Sequence, residues 1–202
     1  TINVLDKFGT LSGFKINISK SALMLINGDK RKLKLPTSIV ISKEVKYLGV
    51  LIHPYVNTIA KINYTNIFKK IEEDTKRWAT LPGSVPSRIA VVKMNILPRI
   101  NFISSMLPLP PPNGYWSKVD SLLSKYIWNG RRPRIKRTTL QHYKQEGGWA
   151  LPNSQYYHWS FTLRPLKQWF DPNSVSSWKI IEENIISPIR LIRYFCILWP
   201  LH

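Results

Sequence analysis

The apolar positions of this chain change their spacing near residue 56. Before it, a brief helical stretch from Asn3 to Leu11 is followed by short β-rich runs at Ala22 to Ile26, Ser38 to Ser42 and Lys46 to Ile52, punctuated by Gly13 and Gly49. After it, the spacing is helical. Tyr64, Ile67, Ile71 and Trp78 recur at steps of three, four and seven and predict a helix over Asn63 to Leu81, ended by Pro82-Gly83. Ile89, Val92, Ile96, Ile100, Ile103 and Leu107 recur every three or four residues and predict a second helix over Ser87 to Leu107. Pro98 should kink it, because the ring removes a backbone donor and crowds the carbonyl one turn earlier. Four prolines among the five residues Pro108 to Pro112 predict a stiff connector into a third helix, Tyr115 to Trp128, striped by Trp116, Val119, Leu123 and Tyr126 and stopped by Gly130. Glu146 to Asn153 reads as a turn, with Asn153 capping a helix that carries Tyr156, Trp159, Leu163 and Leu166 and is disrupted at Pro165. The fold class expected is α+β, a short antiparallel β region followed by a mainly α-helical one, in segments 1–56, 57–130 and 131–202.

Charge narrows the function. The 202 residues hold 30 Lys and Arg against 11 Asp and Glu, a net charge of +19. Such an excess points to a polyanionic partner, and 8 Trp, 9 Tyr and 7 Phe beside it favour nucleic acid, whose bases and phosphates suit aromatic planes and cations together. An anionic membrane surface is the weaker alternative. No window approaches the roughly 18 to 20 apolar residues of a spanning helix, and no signal peptide is legible at the N-terminus. One cysteine, Cys196, leaves no intramolecular disulfide, and His53, His142, His158 and His202 lack zinc-ligand spacing, so no structural metal is expected. Thr1 in place of an initiator methionine suggests a fragment.

The densest chemistry lies in Trp128-Asn-Gly-Arg-Arg-Pro-Arg-Ile-Lys-Arg137, where Arg131, Arg132, Arg134, Lys136 and Arg137 place five cations among seven residues. They repel one another unless a polyanion lies across them, and Pro133 keeps them out of a regular helix. The bland alternative is a solvated loop, which also serves for Lys30 to Lys34. On the second helix, Arg88, Asn95 and Arg99 share a flank beside the apolar stripe. They could track a sugar-phosphate backbone or be ordinary amphipathic decoration, and the large aromatics downstream read first as core.

An ordered series of motifs carries a family resemblance. Phe8-Gly9-Thr10-Leu11-Ser12-Gly13-Phe14-Lys15-Ile16-Asn17-Ile18-Ser19-Lys20-Ser21 is similar to the "SG-x-K-x-N-x-x-K-S" segment after the catalytic hairpin of a polymerase palm, and Tyr47-Leu48-Gly49-Val50 to its "YLG" primer-grip strand. The series continues through Trp78-Ala79-Thr80-Leu81, Ser87-Arg88-Ile89, Lys93 to Arg99, Lys125 to Trp128, Arg132 to Lys136, Thr139-Leu140-Gln141, Gly147-Gly148 and Leu151-Pro152-Asn153. In this order the chain resembles, over about residues 8 to 185, the C-terminal part of the reverse transcriptase of a non-LTR retrotransposon of the long interspersed element type. Ile185 to His202 departs from the pattern.

That resemblance implies a palm remnant in 1–56, a helical thumb in 57–130 and a basic, helical continuation in 131–202. It implies an RNA-directed DNA polymerase as the parent, with RNA, DNA or RNA-DNA duplex as partner and the upstream fingers and palm as a second. Lys20 takes the position of a lysine near the incoming nucleotide's phosphates, and Tyr47, Leu48 and Gly49 support the primer end. The parent would use Mg²⁺, held by paired carboxylates. The "Y/F-x-D-D" hairpin that supplies them is missing here, and Asp6, Asp29, Asp74, Asp120 and Asp171 are scattered, so no cofactor and no polymerisation are expected of this chain alone. Template-primer binding is the leading expectation. A helical structural or interaction module with incidental charge is the alternative, and an independent nuclease a distant third. By the same resemblance the location is intracellular, at nuclear DNA.

Overall fold

All six residues of the second predicted stripe, Ile89 through Leu107, are buried in a computed structural model of the chain, which describes residues 2–26, 40–171, 173 and 176–186. Lys30 to Lys34 and the Pro188 to His202 segment lie outside the described residues, as do Cys196 and His202. Helices dominate, with two small two-stranded sheets near the N-terminus. The chain forms two compact units, Thr1–His158 and Trp159–His202.

In the first unit, α1 (Ile2–Ser12) precedes β1 (Ala22–Met24), which pairs with β2 (Val40–Ser42). This pair is parallel, which corrects the antiparallel expectation: chain lies between the two strands, and alternation alone carries no direction. The run Lys46 to Ile52 is likewise not one strand. It folds at Leu48-Gly49 into the antiparallel hairpin β3 (Val45–Tyr47) and β4 (Val50–Ile52). Asn63 locks that hairpin to α2 (Val56–Ala79), its amide accepting from Leu51 N at 2.9 Å and donating to Leu51 O at 2.8 Å. A buried side-chain amide thereby satisfies a strand edge that would otherwise lack partners.

Pro98 does not kink a single helix. The predicted second helix is α3 (Val85–Val91), a π-helical turn over Val92–Ile96, and α4 (Leu97–Met106). The wider turn absorbs the donor that Pro98 lacks and the crowding at the residue-94 carbonyl while every stripe residue stays on the core face. After the proline connector, whose Leu109 carbonyl accepts from the Tyr64 hydroxyl at 3.2 Å, α5 (Tyr115–Ile127) closes the core with Val119, Leu123, Tyr126 and Ile127. The short α6 (Arg137–Gln141) and a loop follow. There Gly147 has φ 81°, and a Cβ on Gly148 would overlap the His142 carbonyl.

Asn153 caps α7 (Ser154–Phe170) as expected, accepting from Gln155 N and Tyr156 N. Two expectations for this helix fail. It runs unbroken through Pro165, and Tyr156, Trp159 and Leu163 are exposed while Ser154, His158 and Thr162 are buried. From Ser154 to Thr162 the buried positions of α7 are therefore polar at helical spacing, which a search for apolar periodicity passes over. In the second unit, Trp169 of α7 meets Trp178 of α8 (Ser177–Ile186) with ring centroids 5.5 Å apart. Among the described residues no helix is long and apolar enough to cross a membrane.

Within the first unit, His158 Nδ1 lies 2.9 Å from the Ser104 hydroxyl, and its ring packs on Trp116 and Tyr64. Burial depresses the imidazole to about 4. The unfolded chain, with His158 near 6.5, therefore binds the extra proton between those values, and its share of stability is complete above about pH 6.5 and lost as the pH falls toward 4. Urea unfolding at pH 5 should show about 2 kcal/mol less stability than at pH 7.5 from this group. A His158→Gln variant should lack that part of the slope, and an equal slope in both proteins refutes the assignment.

Candidate nucleic-acid interface

Two left-handed residues turn the chain out of α5: Asn129 at φ 50° and Gly130 at φ 74°, with Gly130 N donating to Lys125 O at 2.8 Å. This is the helix stop that glycine permits, and it launches the basic segment off a helix end. Arg131, Arg132, Arg134 and Lys136 are exposed on irregular backbone, and no carboxylate among the described residues pairs with them. Arg137 differs. Its Nη2 is 2.6 Å from Asp120 Oδ1, its Nη1 donates to the Asp120 carbonyl at 3.3 Å, and it is only partly exposed. Burial raises the Asp120 carboxyl above its ordinary range while the Arg137 guanidinium acts in the opposite direction. Four cations are thus offered to solvent, and the fifth ties the segment back to α5.

Arg88 is a correction. It is 4% exposed, and its guanidinium donates to Tyr126 O and Leu81 O at 3.1 Å and to Ala79 O and Gly83 O at 3.4 Å. It also lies 5.1 Å from the centre of the Tyr126 ring. The Ala79, Leu81 and Tyr126 carbonyls lie at the ends of α2 and α5, where helices leave unpaired acceptors and partial negative charge. Arg88 fastens two helix ends together and offers nothing to a phosphate. Arg99 is half-committed: Nη1 pairs with Asp74, which also holds Arg77. Asn95, on the π turn, is exposed, and its neighbour Lys93 donates to Trp149 O at 2.8 Å. Arg88, Asn95 and Arg99 therefore do not offer one continuous polar edge to a sugar-phosphate backbone.

The hairpin turn has both central residues in the left-handed region, Leu48 at φ 45° and Gly49 at φ 85°. Such a turn matches strand twist but favours asparagine, aspartate or glycine first, so leucine there is strained. Tyr47 and Leu48 nevertheless stand out at 62% and 63% exposure. Behind them a Cβ on Gly49 would come within 3.2 Å of the Phe102 ring, so the turn rests against α4. Neither Asn63 nor Phe102, which set this turn in place, carries a signal in the spacing. Residues held in such strain cluster at functional sites, which makes this tip a candidate contact. Leu48→Gly should leave stability unchanged or raise it by up to about 1 kcal/mol while weakening duplex binding; a loss of stability without a binding change would mean that Leu48 only packs. Lys20 is exposed at the end of a short 3-10 turn, its backbone amide held by the Asn17 side chain at 3.2 Å.

The hairpin is anchored on α2 at Asn63, and the end of α5, from which the basic segment departs, is fastened to the end of α2 by Arg88, so about 16 residues of helix, roughly 24 Å, separate the two points on α2. Among the described residues no three His, Cys, Asp or Glu side chains converge as metal ligands. Asp74 and Asp120 are engaged by arginines, and Asp171 by its own turn. Among the described residues the carboxylates do not form the paired-metal site of a polymerase. Among the described residues lie a hollow of about 360 Å³ beneath the basic segment and a trough of about 460 Å³ along α7 in the second unit. No protein-family model matches the chain.

Proposed function

We propose that this chain is a template-primer-binding piece of a retrotransposon-type RNA-directed DNA polymerase that holds duplex without itself polymerising. The observation that carries the reading is the set of four exposed, carboxylate-free cations at the end of α5, held in place by Arg137 and Asp120. A duplex held without regard to sequence is gripped through phosphates, sugars and groove shape, which is what exposed cations on a loop tied back to α5 provide. The strained Tyr47-Leu48-Gly49 turn supplies a second, apolar contact, and the roughly 24 Å of α2 between its anchor at Asn63 and the end joined to α5 matches about seven base steps of 3.4 Å. The Mg²⁺ chemistry belongs to the parent enzyme, whose upstream carboxylates this chain lacks.

A second reading has one observation in its favour: Val4, Leu5, Phe8, Leu11 and Phe14 are exposed on and beside α1. So much apolar surface suits a protein contact, either with the upstream fingers and palm of the parent or in a plain interaction module. Titration of a labelled RNA-DNA duplex by the purified chain at several salt concentrations separates the two. Phosphate clamping requires log K to fall with log salt with a slope of about −3 or steeper, as four neutralised phosphates dictate. A slope near zero, or no binding, leaves only the interaction module.

A further inference from the structure

The cavity beneath the basic segment is about 360 Å³, toward the small end of the roughly 300 to 1,000 Å³ typical of ligand sites. Ile127, Leu140 and Leu151, all buried, line it together with Trp128, Ser124 and Ile135, the Asp120-paired Arg137 also reaches it, and the exposed Arg134 and Lys136 border it. No double helix fits such a space. A phosphate does not belong on its floor either, because the one guanidinium there, Arg137, is already paired with Asp120, and burying an anion without a free partner is costly. What fits the combination is a flat, uncharged ring inside and an anion at the edge.

Sequence supports this arrangement. Ile135 interrupts the cations between Arg134 and Lys136, and together with Pro133 and Trp128 it gives the hollow apolar walls that a merely solvated loop does not need. We propose that this cavity takes one unstacked nucleobase from a single-stranded stretch, with the adjoining phosphate held by Arg134 and Lys136. Sequence-tolerant single-strand binding is built from such aromatic and apolar seats beside a cationic track. The inference rests on the reading of the basic segment as a phosphate clamp and adds to it a preference for unpaired nucleotides. An aliphatic side chain from a protein would fill the floor but leave both cations unanswered.

The test compares a short labelled single-stranded RNA with the same sequence in a blunt RNA-DNA duplex. Ile135→Ala, which trims a partly exposed wall, and Ser124→Phe, which fills the space, should each weaken single-strand binding about tenfold, the scale expected when one base loses its seat, and leave duplex binding and both salt slopes unchanged. Arg134→Ala combined with Lys136→Ala should weaken both ligands and flatten both slopes. Should Ser124→Phe fail to fold, 4-thiouridine in the single strand gives an independent readout on the unaltered chain, where photo-crosslinks must map to Trp128, Ile135 or their neighbours. Steep slopes with neutral cavity variants, or crosslinks elsewhere, overturn the base site and leave the clamp standing. Shallow slopes for both ligands remove the clamp and the base site with it.

Discussion

Changing Arg131, Arg132, Arg134 and Lys136 together to alanine is expected to flatten the salt dependence of RNA-DNA duplex binding by about 3 in log-log slope and to weaken binding on the order of 10²- to 10³-fold near 0.1 M salt. Each phosphate neutralised releases condensed counterions, worth about 0.7 to 0.9 in slope, so the flattening reports how many phosphates the variant no longer neutralises. The four side chains are exposed and lack carboxylate partners among the described residues, so their removal should leave the melting transition in place. Arg137→Ala should do the opposite. It unties Asp120 and the start of α6, so a modest loss of stability should accompany a smaller slope change. Equal slopes in the wild type and the fourfold variant would show the segment to be a solvated loop.

Arg88→Ala should lower stability by about 3 kcal/mol or more, at about 1 to 3 kcal/mol for each buried carbonyl left without a partner, a large part of the roughly 5 to 15 kcal/mol that typically holds a domain folded. The side chain answers four carbonyls at once and stacks on Tyr126, and its loss leaves buried acceptors unpaired at two helix ends. Lysine should not rescue it, because one ammonium cannot fork between Ala79, Leu81, Gly83 and Tyr126. Urea denaturation followed by circular dichroism measures the effect. A stable Arg88→Ala protein with weakened duplex binding would return Arg88 to the phosphate contacts expected from its place beside the apolar stripe.

That reversal of Arg88 shows what helical spacing can and cannot say. Spacing places Arg88 on the flank of its helix correctly, but whether a flank faces water depends on what ends nearby in space. Here the carboxyl ends of α2 and α5 converge on it, from residues 79 to 81 and 126. Arg99 is drawn to Asp74 in the same way by a helix 25 positions away. Cation positions in a sequence report charge; partners are a property of the fold.

Hydrophobic recurrence by itself determined the three core stripes, because a residue every three or four positions can be buried continuously only on a helix, and the residues so spaced from Tyr64 to Tyr126 line the core. Composition determined the cationic balance, and the Asn129-Gly130 stop with Pro133 determined that the basic segment leaves a helix end as irregular chain. Tertiary structure alone decided the parallel pairing of β1 with β2, the hairpin hidden inside Lys46 to Ile52, the π turn before Pro98 and the polar buried positions of α7 from Ser154 to Thr162. Each of these depends on partners distant in the chain, or on backbone strain relieved locally, and neither leaves a period to read. It also decided which cations are free, since only the fold brings Asp120 to Arg137 and leaves Arg131, Arg132, Arg134 and Lys136 facing solvent.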